Sequence, residues 1–371
     1  MMSSKFITER KKEKTPNRHP KFLFFVKILI LLAANLGCQT EIQTVQESRI
    51  LMDTMVSIHV YAAKPADEPA IRRAMAAAFA EMSRLDSLLS AYRRDSEVAA
   101  INQNAAAVSV TVSSDMDCVL RIAQWAAQIS NGAFDVTIAP LLRLWGFGTD
   151  SLGLPAPEKI AARLPLVNSK NLVVSNEENS PKRSVHFRRP DMAIDLGGVA
   201  KGYVVDRGLA KLMQAGLRDA MITAGGDLRT VASPLTAGRR YIWIQHPRAT
   251  DLDSTQNQTG AFWGRFKLDA GAVSTSGDYE RFFFKDGKRY HHLIDPHTGY
   301  PARRAVSATV IARQAVVADA LSTTLFVLGP ERGIALADSL AEVDAVIIYE
   351  EEKLKWRATQ TLENKLEVFH Q

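Results

Sequence analysis

An α+β fold is predicted for this chain from three observations. Apolar residues recur at helical spacing through the first half, and β-rich runs alternate with helices through the second. The composition, 46% hydrophobic and 23% charged over 371 residues, lies in the globular range. No internal repeat is visible, so one compact unit is expected after an N-terminal address segment.

The address comes first. The opening 27 residues hold eight Lys or Arg against two Glu, which accounts for the whole formal charge of +6. The remainder is balanced, so nucleic acid, which needs its positive excess on the folded surface, is not expected as a partner. Lys11, Lys12, Lys14, Arg18, Lys21 and Lys27 precede the apolar run Ile28 to Ala34 and then Leu36-Gly37-Cys38. That is a secretory signal over residues 1–37, too short to span a bilayer. A cysteine after a small residue at the end of such a run resembles the lipobox of bacterial lipoproteins, although Asn35 stands where an aliphatic residue is usual. Cys38 is therefore the expected lipid anchor, with the chain exported to the periplasmic side of a bacterial envelope membrane. An ordinary signal peptide is the alternative. Residues 38–48 read as a polar tether, and residues 49–371 as the folded unit.

That unit is expected to open with a strand from Ile50 to Tyr61. Ile71, Met75, Phe79, Met82, Leu85 and Leu89 form one helical stripe. Cys118, Ile122, Trp125 and Ile129 form a second, which Asn131-Gly132 stops. Cys118 is read as a core residue, and with one other cysteine in the chain no disulfide framework is available to the mature unit. Strands are expected at Tyr241 to Gln245, Ala305 to Ile311 and Val343 to Tyr349, with helices near 203–215 and 317–328. The polar insert 249–260, which holds an Asn257 sequon, reads as a surface loop.

The chemistry concentrates in four segments. Asp195-Leu196-Gly197-Gly198-Val199-Ala200-Lys201-Gly202-Tyr203 is a glycine turn running into a helix, a geometry that suits phosphate but that also serves as plain architecture. In Ala318-Asp319-Ala320-Leu321-Ser322-Thr323, Asp319 and Thr323 lie four apart on one helical face. They offer hard oxygens of the kind Mg²⁺ accepts; an acid favoured by the helix dipole is the other reading. His291-His292 leads into Asp295-Pro296-His297-Thr298-Gly299. A neutral imidazole there can take a proton from an attacking hydroxyl, with a nearby carboxylate to orient it. Zinc is the rival, but adjacent histidines on a strand point to opposite faces. Finally, Gly132-Ala133-Phe134-Asp135 and Trp145-Gly146-Phe147-Gly148 either line a planar ring or pack as a tight loop.

Together with Ala224-Gly225-Gly226-Asp227 and Thr275-Ser276-Gly277-Asp278-Tyr279, these runs resemble, in order, the FAD:protein FMN transferase (ApbE-type) family from about Ile50 to near Leu336. The resemblance implies a single ApbE-like catalytic unit that cleaves FAD and places FMN on a Thr or Ser of a target protein, in the family a threonine within a short Asp-Gly-x-Ser/Thr-Gly-Ala-Thr-like motif, releasing AMP. It implies that Asp319, Thr323 and the main-chain oxygen of Ala200 hold Mg²⁺. Met52, Tyr92, Ala133, Phe134, Asp135, Gly197, Lys201, Tyr203 and Leu293 are the expected FAD contacts. His292 is expected as the base, with Asp295 as its catalytic carboxylate, and the acceptor is expected to be a membrane redox protein. Asp53 departs from the family's Met-Gly-Thr opening. The alternatives are an FAD pyrophosphatase giving FMN and AMP, and a non-catalytic flavin-binding lipoprotein.

Overall fold

The computed structural model describes residues 41–149, 151–176, 183–249 and 261–369. The expected signal segment, Cys38 and the Asn257 sequon lie outside them. The chain divides after Glu41, and everything below concerns the unit that begins at Ile42.

The first half contains β1 (Ile42–Leu51), β2 (Thr54–Ala63), α1 (Glu68–Leu89), α2 (Glu97–Asn104), β3 (Val110–Val112), α3 (Ser114–Ile129), α4 (Ala139–Trp145), α5 (Pro157–Arg163), β4 (Leu172–Asn176) and β5 (Arg183–Phe187). The second half contains α6 (Ala200–Gln214), β6 (Ala220–Ala224), β7 (Asp227–Val231), β8 (Tyr241–Gln245), β9 (Phe262–Lys267), β10 (Gly271–Gly277), β11 (Phe282–Lys285) and β12 (Lys288–His291). It closes with β13 (Ser307–Ala312), α7 (Ala315–Leu328), α8 (Pro330–Asp338), β14 (Asp344–Glu350), β15 (Leu354–Ala358), α9 (Gln360–Glu363) and β16 (Glu367–Val368).

An antiparallel sheet in the order β1-β2-β6-β7-β10-β13-β14-β15 forms the middle layer. Its strands alternate between two apolar faces. Ala345 and Ile347 of β14 join the core built with α1, α3, α6 and α7, while Val346 and Ile348 join the core beneath the small β16-β9-β8 sheet. Covering on both sides explains why β14 reads as an unbroken apolar run. The mixed fold expected from the sequence is the one observed.

Three expectations are corrected, the first being the single strand from Ile50 to Tyr61, which breaks at Met52-Asp53 into two antiparallel strands, β1 and β2. Ile42 to Ser48, taken as tether, belong to β1, which pairs with β2 from Ile42↔Ala63 to Leu51↔Thr54 and buries Val45. An edge strand has one neighbour and keeps polar residues on its open side, so its composition passes for a linker. Cys118 is exposed rather than core. The buried face of α3 is Met116, Val119, Leu120, Ala123, Ala126 and Ala127, and Ile122, Trp125 and Ile129 only flank it. The helix is thus rotated by about one residue from the expected stripe. Met52 and Asp53 form the two-residue β1–β2 connection with φ of 53° and 56°. That left-handed pair is the hairpin turn in which glycine, asparagine and aspartate are favoured, so an aspartate fits where the family shows glycine.

Candidate active site

Helices α6 and α7 cross at close quarters, and each finishes the other's N-terminus. Neither Val199 nor Gln314, the capping residues, supplies a side-chain cap, which leaves main-chain N–H groups to be satisfied from elsewhere. Asp206 of α6 accepts from the N–H groups of Ala315 and Val316, each at 3.0 Å. Asp319 of α7 accepts from the N–H of Gly202 at 2.9 Å. Gly202 permits the approach, since a Cβ there would stand 2.2 Å from the carbonyl oxygen of Ala315. Asp319 therefore caps α6 and not its own helix.

This crossing is the floor of a cavity of about 490 Å³. Lys201 Nζ lies 3.1 Å from Asp227 Oδ2 and 3.5 Å from Asp319 Oδ1, with both carboxylates buried. Burial alone would pull the lysine's pKa down, but Asp227 and Asp319 outweigh it and hold the ammonium charged. Burial, and then the neighbouring Asp227 carboxylate, push Asp319 up to about 7. When Asp319 ionises, one cation faces two buried carboxylates, a surplus of negative charge that a second cation would relieve. Hard oxygens surround it: Thr323 Oγ1 is 3.1 Å from Ser276 Oγ, and the Gly198 turn lies directly against Thr323.

The two histidines separate as strand geometry requires. His291 is buried, its Nε2 donating to the Ala302 carbonyl at 2.8 Å. His292 stands at the cavity wall with Nδ1 3.3 Å from the carbonyl oxygen of Arg281. A carbonyl only accepts, so Nδ1 carries the hydrogen and Nε2 the free electron pair. Burial, then the charge of Arg281, lowers the His292 pKa to about 3, leaving the ring neutral near pH 7.

Met52, Tyr92, Ala133, Phe134, Asp135, Gly197, Ala200, Lys201, His292, Leu293, Asp319 and Thr323 all line this one cavity. Asp135 has a second task, capping the short turn after it by accepting from Thr137 and Ser169. Two expected residues are elsewhere. The Tyr203 hydroxyl donates to Asp115 of α3 at 2.6 Å, so this buried ring faces α3 and does not line the cavity. Asp295 bonds to the main chain and ring of His297 within its own turn, at 2.9 and 3.2 Å, so the group facing His292 Nδ1 is a carbonyl and not this carboxylate. His297 Nε2 in turn lies 2.9 Å from the carbonyl oxygen of Asn131, which pins that turn to the end of α3.

Asp227, Ser276 and Arg281 also line the cavity and were given no role from sequence. For Asp227 a signal existed, a carboxylate directly after two glycines, and its burial at 2% is what turns it into a charge partner.

Residues 52–347 match the model of the ApbE family. A Klebsiella pneumoniae (strain 342) protein named FAD:protein FMN transferase is 32% identical over 302 residues, covering 81% of this chain and 88% of its own. The crystal structure of the ApbE protein from Thermotoga maritima superposes with a TM-score of 0.75 at 30% identity, over 87% of this chain and 99% of that one. The flavin transferase ApbE from Vibrio cholerae does so with a TM-score of 0.73 at 27% identity, over 88% and 100%. With four-fifths of its length matched and its site lined by the motifs that suggested the likeness, the chain belongs to the ApbE family.

Proposed function

We propose that this protein is a Mg²⁺-dependent FAD:protein FMN transferase, exported and held at an envelope membrane through Cys38, whose acceptor is a Ser or Thr of a membrane redox protein. The observation that carries the reading is the buried Lys201–Asp227–Asp319 group at the floor of a cavity whose wall holds a neutral histidine. Storage of a flavin would need neither.

Among the described residues no three His, Cys, Asp or Glu side chains cluster as a metal cage. Magnesium needs none, because it binds through one or two carboxylates and keeps waters and substrate phosphates as its other ligands. Asp319, Thr323 and the Ala200 carbonyl would hold it, and the surplus negative charge fits a divalent cation. When bound, the metal neutralises pyrophosphate oxygens as charge builds on them. Lys201 supplies fixed positive charge beside the same phosphates. His292 Nε2 takes the proton of the acceptor hydroxyl. The hydroxyl oxygen bonds to the FMN phosphorus, the bond from that phosphorus to the bridging oxygen breaks, and AMP leaves with that oxygen. The apolar walls, Phe134 and Leu293 among them, limit the access of competing water.

The test incubates the full chain, Mg²⁺ and FAD with a peptide carrying Asp-Gly-Ala-Thr-Gly-Ala-Thr and follows peptide mass and AMP. A peptide that gains one FMN, with Asp319→Ala and His292→Ala inactive, supports the transferase. AMP with free FMN and an unmodified peptide would replace it by a pyrophosphatase, and no turnover would leave a flavin carrier.

A further inference from the structure

The β11–β12 hairpin springs from the active site. Arg281, directly before β11, and His292, directly after β12, both line the cavity. One hairpin face is committed to the body of the protein: Phe283 and Tyr290, paired across the strands, stack on each other at 5.5 Å and pack around Trp145. The opposite face is committed only through β12, where His291 is buried against the body and Arg289 pairs with Asp278 at 3.0 Å, while the aromatic side chains of β11 on that face are left uncovered. Phe282 and Phe284 are 36% and 61% exposed, their rings edge-on at 5.5 Å, with the Arg289 guanidinium 4.5 Å above Phe282. At the tip Lys285 pairs directly across from Lys288, and like charges opposite one another destabilise a hairpin. Among the described residues Arg281, Lys285 and Lys288 have no ion-pair partner. The hairpin forms a sheet of its own with no third strand among the described residues, so an outer edge is open.

Exposed aromatics, an uncompensated pair of lysines and a free strand edge each cost the isolated protein something that a partner of the right chemistry would offset. We propose that this hairpin is the docking surface for the acceptor protein, which lays an extended segment of alternating acidic and apolar residues along it, next to its own Ser or Thr. The proposal rests on the transferase reading above. Added strands bind by main-chain hydrogen bonds and take specificity from alternate side chains, here apolar ones on Phe282 and Phe284 and acidic ones toward Lys285 and Lys288. Continuity with the site decides for the acceptor over a lipid surface. Whatever seats on β11 or β12 stands beside the wall that holds His292, where the acceptor hydroxyl must arrive and a membrane has no need to be.

The experiment uses the full chain, FAD, Mg²⁺ and two peptides with the same Asp-Gly-Ala-Thr-Gly-Ala-Thr centre, one flanked by Asp-Leu-Asp-Leu and the other by Lys-Leu-Lys-Leu. The acidic peptide is expected to have a kcat/KM at least about tenfold higher, the difference residing in KM and shrinking with salt. Lys285→Glu/Lys288→Glu is expected to invert that preference, and Phe282→Ser/Phe284→Ser to weaken both peptides, with FAD affinity unchanged in each variant. An inverted preference is an outcome that mere misfolding cannot produce. Equal use of both peptides by the wild-type chain, or a preference untouched by the charge reversal, overturns the docking proposal and leaves the transferase standing. Absence of FMN transfer to either peptide overturns both. Loss of vesicle binding in the same variants, with peptide kinetics unchanged, would assign the hairpin to a membrane instead.

Discussion

His291 is packed edge-on against Phe326 with ring centroids 5.4 Å apart, and burial lowers its pKa to about 4. The unfolded chain binds a proton there below about 6.5, while the folded chain refuses it until about pH 4. The stability tied to the neutral ring is therefore complete above pH 6.5 and is lost as pH falls toward 4. At pH 5 the loss from this residue is expected to be about 2 kcal/mol. Urea unfolding at pH 7.5 and pH 5 measures it, and His291→Gln should remove that share of the slope while the share of His292 remains. The divergence of the pair was legible in the sequence, because neighbours in a strand point to opposite faces. Which one faces the cavity depends on the body of the protein, through Phe326 and the Ala302 carbonyl on one side and the cavity lining on the other. Asp295 shows the opposite case. Its nearness in sequence to His292 suggested an orienting role, but an Asp-Pro turn consumes its own carboxylate, here on His297.

At the scale of elements, the glycine turn and α6, and the acid and hydroxyl on α7, could be recognised one by one from their residues, and only the family resemblance joined them. Their union depends on a crossing of chain segments more than a hundred residues apart, which no local pattern encodes. Tyr203 was misplaced for a related reason. It follows the glycine turn closely, yet helical rotation carries it to the side of α6 that meets Asp115. The reciprocal caps also make an untried prediction. Asp206→Ala frees the N–H groups of Ala315 and Val316 and also removes the partner of Arg229, 3.4 Å away. It should destabilise by about 2 kcal/mol in urea unfolding. Because α7 carries Asp319 and Thr323, the Mg²⁺ concentration for half-maximal activity should rise in the same variant.

Across the whole molecule, the cavity gathers residues from Met52 to Thr323, so nearly the full unit must be folded before the site exists. The edge strand that composition disguised as a linker is part of that frame. A chain begun at Ile50 loses most of β1 and the buried side chain of Val45, which alone contributes about 2 kcal/mol. It should melt lower than a chain begun at Ile42 in a thermal scan. The contact of Gly202 with Asp319 has a consequence of another kind. The Gly202 amide hydrogen points into a buried carboxylate across a backbone-to-backbone crossing, so solvent deuterium can replace it only when the two helices part. That single amide is a natural gauge of the floor. Its exchange should be among the slowest in the protein, slow further when Mg²⁺ and FAD are added, and quicken in Asp206→Ala before any global unfolding is seen.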